Sequence, residues 1–538
     1  MSQPDLTAFL NHCQTLLSAG AVLPADQWPP YAASCLAHPC AIAGVVQPTS
    51  PDEVITLVKL AAASAIPLYP ISTGHNWGYG EAHPVRDGSI IVDLARMNRI
   101  IAFDADSGLL TVEPGVTQRQ LNTFLQQHGH PFLIPVTGAG PDCSLLGNAL
   151  ERGYGITPYA DHFSAVMSLE AVLPDGTLYR PMLDLMGGSS VNHAFKWGLG
   201  PYVDGLFTQG NFGIVTQMTL ALAPRPERVE AFFLSVKTAD DLETAVVAIR
   251  QILRTVGGVT GSINLMNRHR VLAMAEPYPR DRLSPDGLIP NDVLDQLARR
   301  HQVTAWTGVG ALYGHPRLVA AARPIIKRLL KPIAARLVFL TPGLVSRLNY
   351  WVAKLPIVRH QPIAHTLATL ANSLRLFAGQ PSEIALPLAY WRSGQRPPAG
   401  QPMNPARDGC GLIWYSPLVP LQPAAVRAYT TMVERICREH RIEPLITLTS
   451  VSDRCFDSTV PILFDRADPV ATEQAHACYH TLFAAGQQLG CVPYRLGVQS
   501  MPTLNEQNAV PELLKRLKQA VDPQGIIAPG RYGLGKDG

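Results

Sequence analysis

The sequence has no large charge excess, no paired-cysteine spacing, no basic-then-apolar leader and no apolar run long enough to span a bilayer. Its 44 Lys and Arg against 41 Asp and Glu leave a net charge of +3, so nucleic acid is not an expected partner. Nine cysteines, an odd number with no C-x-x-C spacing, read as reduced thiols of a cytoplasm. No metal-ligand spacing occurs, so no metal site is expected. Met1-Ser2-Gln3-Pro4-Asp5 carries neither a basic start nor an apolar core, and a cytoplasmic location follows as the expectation. One absence is local. No acid occurs between Arg299 and Glu383, while Arg323, Lys327, Arg328, Lys331, Arg336, Arg347, Lys354 and Arg359 alternate with apolar residues. That stretch, 323–359, reads as a basic amphipathic surface for peripheral contact with anionic lipid, or as a solvated basic face or an oligomer contact.

What the chain does have is apolar content, 47% against 16% charged residues over 538 positions. That length exceeds one ordinary hydrophobic core and predicts two domains. Ser50-Pro51-Asp52-Glu53 ahead of Val54, Leu57 and Val58 predicts a capped amphipathic helix. Ala43–Val46 and Leu109–Val116 read as strands, and Thr117 opens a helix through His128. Asp175-Gly176 marks a hairpin turn. Short strands alternating with helices argue for an α+β fold. Leu222–Pro226 reads as an exposed connector to a second unit, and no internal repeat is present.

The most informative stretch is Ser72-Thr73-Gly74-His75-Asn76-Trp77-Gly78-Tyr79-Gly80, between an apolar run and the strand candidate Ser89–Leu94. Glycines without Cβ let successive backbone N–H groups converge on an anion. The spacing fits neither G-x-G-x-x-G nor the P-loop. On composition alone the loop is either a phosphate cradle or a surface turn.

Further segments follow in order: Gly140–Gly153 running into Gly155–His162, then Gly200–Phe207, Gly210–Thr216, and Val521–Arg531. Taken with the loop, they resemble the vanillyl-alcohol oxidase / p-cresol methylhydroxylase family of FAD enzymes along nearly the whole chain, thinning between Arg268 and Gly409. The resemblance implies a two-domain, α+β, PCMH-type FAD-binding fold with an α/β substrate (cap) domain. Residues 1–225 would form the FAD-binding domain, completed by 496–538, and residues 226–495 the cap. For FAD it implies Ser72, Thr73, Gly74, His75 and Asn76 at the pyrophosphate and Gly147 and Asn148 beside the ring. Gly213, Ile214 and Val215 would lie on the adenosine side, with Arg531 completing the site. In relatives of the berberine-bridge, alditol-oxidase and cytokinin-dehydrogenase type, a His at the place of His75 bonds covalently to the flavin 8α carbon. The linking His of vanillyl-alcohol oxidase falls here on Leu412, so a bond through His75 is one reading and a simple phosphate donor the other. Cys143 and Cys410 are the thiols that could add a second bond.

The same resemblance gives the substrate residues. Tyr79, Tyr494 and Arg495 match those that hold a phenol oxygen, where two phenolic donors and a permanent cation favour the anion. Tyr159 would lie near them. Asp142 would sit by flavin N5, stabilising a cationic methide or serving as base for water. His162 and Glu151 read as structural. The implied reaction is hydride removal from a para-substituted phenol, an alkylphenol or phenolic alcohol, through a quinone methide. Electrons then pass to oxygen or to a protein acceptor such as a cytochrome. The enzyme would be a homodimer or larger. Two alternatives stay open: a biosynthetic tailoring oxidase acting on an alcohol, amine or heterocycle, and a membrane-associated flavin-binding scaffold without turnover.

Overall fold

The computed structural model describes residues 5–354, 371 and 374–535. Near the N-terminus the predicted helix runs over Pro51–Ser64, started by the Ser50 hydroxyl accepting the Glu53 N–H at 3.3 Å. Such a cap stabilises a helix by about 1 kcal/mol. Val54, Leu57, Val58 and Ala61 form its buried face. They pack on a three-stranded parallel sheet with Ser89–Asp93 at the centre, flanked by Ile42–Val46 and Leu68–Ile71. The free edge of Leu68 is taken by the C-terminal stretch, which bridges Leu68 to Ile527 in parallel. Leu68 N–H donates to Ile526 and Ala528 N–H to Leu68, each at 2.7 Å.

A five-stranded antiparallel sheet lies next in the chain, in the order Ile100–Asp104, Leu109–Val112, Ile214–Ala221, Val166–Val172, Leu178–Tyr179. Its last hairpin turns at Asp175-Gly176, where Gly176 has φ +83°, a conformation glycine adopts without steric cost.

From Arg228 onward a larger sheet is antiparallel throughout. Its order is Ala334–Leu340, Arg228–Val236, Trp306–Gly314, Thr260–Asn267, Thr447–Ser450, Cys455–Asp465, Cys410–Tyr415, with Leu418–Pro420 also on Cys455–Asp465. Strand alternation sets what each face does. Along Cys455–Asp465 the even positions Phe456, Val460, Ile462 and Phe464 enter the core. That core also takes the helices Leu242–Val256, Pro316–Leu330, Pro423–Glu439 and Pro469–Gln488. The odd positions Asp457 and Thr459, with Leu412 and Trp414 of the next strand, turn to the other face and line a cavity.

The acid-free stretch is less free than its composition suggests. Ile326 and Leu330 are buried in the helix Pro316–Leu330. Arg323 pairs with Glu230 at 3.0 Å, and Lys327 lies 5.7 Å from the centre of the Phe339 ring. Arg359 and the rest of 355–370 lie outside the described residues. Among the described residues no helix is long and apolar enough to cross a membrane.

Candidate functional site

The glycine loop is held from three sides. Gly78 N–H donates to the buried Glu81 carboxylate at 2.8 Å, Trp414 N–H donates to Gly78 at 3.2 Å, and Val498 N–H to Tyr79 at 2.9 Å. Gly78 sits at φ +71°, and a Cβ there would stand 2.8 Å from Leu412 Cγ and from Trp414 Cδ1. Any side chain would force the cap strand off the loop. A cavity of about 380 Å³ opens between them, lined by Ser72–Trp77, Gly147, Asn148, Gly213, Val215 and Arg531 on one side and by cap residues on the other.

This wall fits FAD. The N–H groups of Thr73, Gly74, His75 and Asn76 donate to no protein acceptor among the described residues. Four adjacent free amides on a cavity wall are suited to a pyrophosphate. Gly147, the third residue of the helix Leu145–Leu150, stands so close to the loop that a Cβ would meet the Ser72 hydroxyl at 3.0 Å. Arg531 reaches in from the C-terminal stretch, donating to Tyr69 at 2.9 Å and pairing with Glu151. Ile214 departs from expectation. Strand alternation sends it into the core while Gly213 and Val215 face the cavity.

His75 also lines the cavity and stacks on Trp77, centroids 4.9 Å apart and planes 22° from parallel. Burial lowers its pKa, against the pull of the Asp142 charge, so the ring is neutral at physiological pH. Cys143 lies in the same wall with its thiol pushed up to about 11 by burial. Cys410 is fully buried outside the cavity lining.

The substrate-side residues meet as expected in part. Tyr79, Tyr494 and Arg495 all line the cavity. The Arg495 guanidinium lies 4.3 Å from the centre of the Tyr79 ring. It also donates to Asn76 and stands 3.3 Å from Glu151. The Tyr79 hydroxyl is hydrogen-bonded to that of Ser416 at 2.7 Å. Burial drives the Tyr79 and Tyr494 phenols upward, and Arg495 opposes both shifts.

Two expected positions do not reach the cavity. Asp142 is gripped through both oxygens by Arg119, at 2.6 and 2.9 Å. This draws the carboxylate toward solvent and leaves Cys143 at the wall. Tyr159 is 39% exposed. It rides the outer end of a loop closed by the antiparallel Tyr154–Asp161 bridge. At the base of that loop Tyr154 faces the cavity, its ring 5.3 Å from that of Tyr494 in an edge-on contact. His162 is paired with Asn148, and burial lowers its pKa to about 4. Glu151, expected to be structural, instead faces the cavity and joins Arg495 to Arg531.

One residue of the wall that sequence reading missed is Asp457. It is 4% exposed, lines the cavity, and its Oδ1 has no hydrogen-bond partner among the described residues. Burial raises its pKa to about 7, with Arg495 pulling the other way. Its signal was an acid inside the strand-like Cys-Phe-Asp-Ser-Thr-Val-Pro-Ile-Leu-Phe-Asp run, where an inward carboxylate needs a reason.

Residues 42–180 match the family model of an FAD binding domain. The chain is 35% identical over 496 residues to 1'-carboxy-chondrochloren decarboxylase of Chondromyces crocatus, covering 91% of this chain and 90% of that one. It is 28% identical to the 4-cresol dehydrogenase [hydroxylating] flavoprotein subunit of Pseudomonas putida, covering 91% and 87%. Among solved structures it superposes on p-cresol methylhydroxylase with substrate bound at a TM-score of 0.88 and 27% identity, covering 100% and 98%.

Proposed function

Because the chain belongs to the p-cresol methylhydroxylase-type family of FAD-dependent oxidoreductases, we propose that it takes hydride from a para-substituted phenol, an alkylphenol or phenolic alcohol. It is an enzyme and its cofactor is FAD, which sets aside a scaffold without turnover. The observation that carries the phenol reading is the gathering of Tyr79, Tyr494, Arg495 and Asp457 on one cavity wall. When bound, FAD supplies the two-electron acceptor. Tyr494 and Arg495 hold the phenol oxygen, and the Arg495 charge favours its anion. Asp457, under the same guanidinium, accepts the phenol proton. The phenolate pushes electrons toward the para side chain, a C–H bond on the side-chain carbon next to the ring breaks with loss of hydride to the flavin, and the substrate becomes a quinone methide. Anaerobic mixing with a panel of 4-alkylphenols tests this directly: a flavin that none of them bleaches sinks the phenol reading.

Asp457 gives the reaction a pH signature. With its pKa raised to about 7, it is protonated below that value and a competent base above it. Flavin reduction at saturating alkylphenol is expected to accelerate as pH rises through about 7, and Asp457→Asn to remove that limb. A wild-type profile unchanged in the variant would assign the proton elsewhere. The stability effect has the opposite sense. The unfolded carboxyl titrates near 3.8, so the folded state loses stability as pH rises from there to about 7.

The neutral, stacked His75 supports covalent attachment through its imidazole. Acid-denatured protein is then expected to stay yellow, with the added mass on a peptide containing His75, and His75→Ala to release its flavin on denaturation. Colour lost from the denatured wild-type chain leaves His75 as a phosphate-side donor only. The electron acceptor is oxygen or a protein such as a cytochrome.

A second reading keeps the fold and makes the enzyme a biosynthetic tailoring oxidase. It is favoured by the relative named as a 1'-carboxy-chondrochloren decarboxylase, whose name denotes a carboxylated substrate. In that case this chain acts on a comparable acid.

A further inference from the structure

Arg270 is the cavity-lining cation that the phenol chemistry leaves unused. It is the third residue of the helix Arg268–Ala275, entered through Asn267, whose side chain caps the Arg270 N–H at 3.0 Å. Its guanidinium Nε and Nη1 are sealed from solvent and have no hydrogen-bond partner among the described residues. The other arginines of the described lining, Arg495 and Arg531, both pair with Glu151. Nor do the remaining acids of the lining neutralise Arg270. Glu81 accepts from Ser34, Cys35 and Gly78, and Asp457 answers to Arg495. Burial lowers the Arg270 pKa to about 10, which still leaves it charged at neutral pH. An isolated buried cation is costly to hold unless something supplies the opposite charge.

We infer that the substrate carries a carboxylate, and that Arg270 is its counter-ion. The inference extends the phenol reading and rests on it for the other end of the molecule. Sheet register places the two ends. Asn264 is level with Thr449, and Thr449 with Asp457. Asn267 lies three residues further along the same strand, a displacement of about 10 Å at about 3.3 Å per residue. Thr459, level with Thr447 and Met266, lies between. The cap wall therefore offers a base and a phenol-binding pair at one level and a free guanidinium further along, with Leu412 and Trp414 on the adjacent strand. A 4-hydroxyphenyl ring with a short acid-bearing side chain matches that order: oxygen, apolar ring, anion.

The test mixes the holoenzyme anaerobically with 3-(4-hydroxyphenyl)propanoate and with its neutral counterpart 4-propylphenol, and takes each affinity from how the rate of flavin reduction saturates with concentration. The acid is expected to bind about 30-fold more tightly, the size of one charge-assisted hydrogen bond. In Arg270→Met the ratio of the two affinities collapses toward one, and Arg270→Lys restores part of it. Equal affinities in the wild type, or a ratio unchanged in Arg270→Met, overturn the inference while leaving phenol oxidation standing. Titration with 3-phenylpropanoate separates the two ideas in the other direction. If that acid perturbs the flavin spectrum in an Arg270-dependent way and no phenol bleaches it, the anion site holds and the phenol reading fails. Should Arg270→Met lose its flavin, Arg270→Gln and the wild-type comparison decide.

Discussion

Arg495→Met is expected to slow flavin reduction by a saturating 4-alkylphenol about 10²–10³-fold, the effect of removing one preorganised charge from a transition-state site. The guanidinium is held by Asn76, stands 3.3 Å from Glu151 and lies over the Tyr79 ring. Its charge pulls down the pKa of Tyr79, Tyr494, Cys143 and Asp457 against burial, joined at Tyr79 by the Ser416 hydroxyl and at Cys143 by Thr137. Without it, Tyr494 and Asp457 lose the influence that opposes burial. A bound phenol then ionises less readily, and Asp457 keeps its proton to higher pH, so two losses act on one step. Stopped-flow reduction monitored by flavin absorbance checks this, and a variant within tenfold of wild type would remove Arg495 from the chemistry. Tyr79→Phe should cost much less, because the Tyr79 hydroxyl is already engaged with Ser416.

The second large effect concerns stability. Lys518 is 3% exposed and Asp522 1%, and they pair at 2.7 Å. The ammonium also donates to the carbonyls of Asn211 and Ile527, while Asp522 accepts the N–H groups of Ile526 and Ile527. Lys518→Met strands a buried carboxylate and frees the segment that carries Arg531. A loss of about 3–5 kcal/mol is expected for breaking one partner of such a pair. Denaturant unfolding of the holoenzyme measures it, together with the flavin retained after gel filtration. A change below about 1 kcal/mol would mean that the pair is not what anchors the C-terminal stretch. The double variant Lys518→Met/Asp522→Leu should recover part of the loss, since it leaves no charge unpaired.

The sequence revealed most where chemistry depends on local backbone. The Ser72–Gly80 loop needs its glycines at fixed places, and the structure puts it against the cap with no room for a Cβ at Gly78. The Tyr494-Arg495 pair came with the family resemblance, and both residues stand on the cavity lining. Asp142 and Tyr159 were misplaced by a different kind of physics. Their direction depends on a distant partner, Arg119, and on the Tyr154–Asp161 bridge, neither of which periodicity reveals. Asp457 and Arg270 were missed for the same reason. Asp457 faces inward because of the register of an antiparallel sheet whose strands are separated by long stretches of chain, and Arg270 because its helix springs from the end of one of those strands at Asn267. A one-residue slip would turn Asp457 into the helix-packed core instead.

The bridge between Leu68 and Ile527 also orders events at the ribosome. The edge of the first sheet stays bare until residues 526–528 clear the exit tunnel, so the dinucleotide cradle cannot be completed on the nascent chain before then. During that interval translation runs ahead of loading, and an exposed strand edge waits for a partner hundreds of residues downstream.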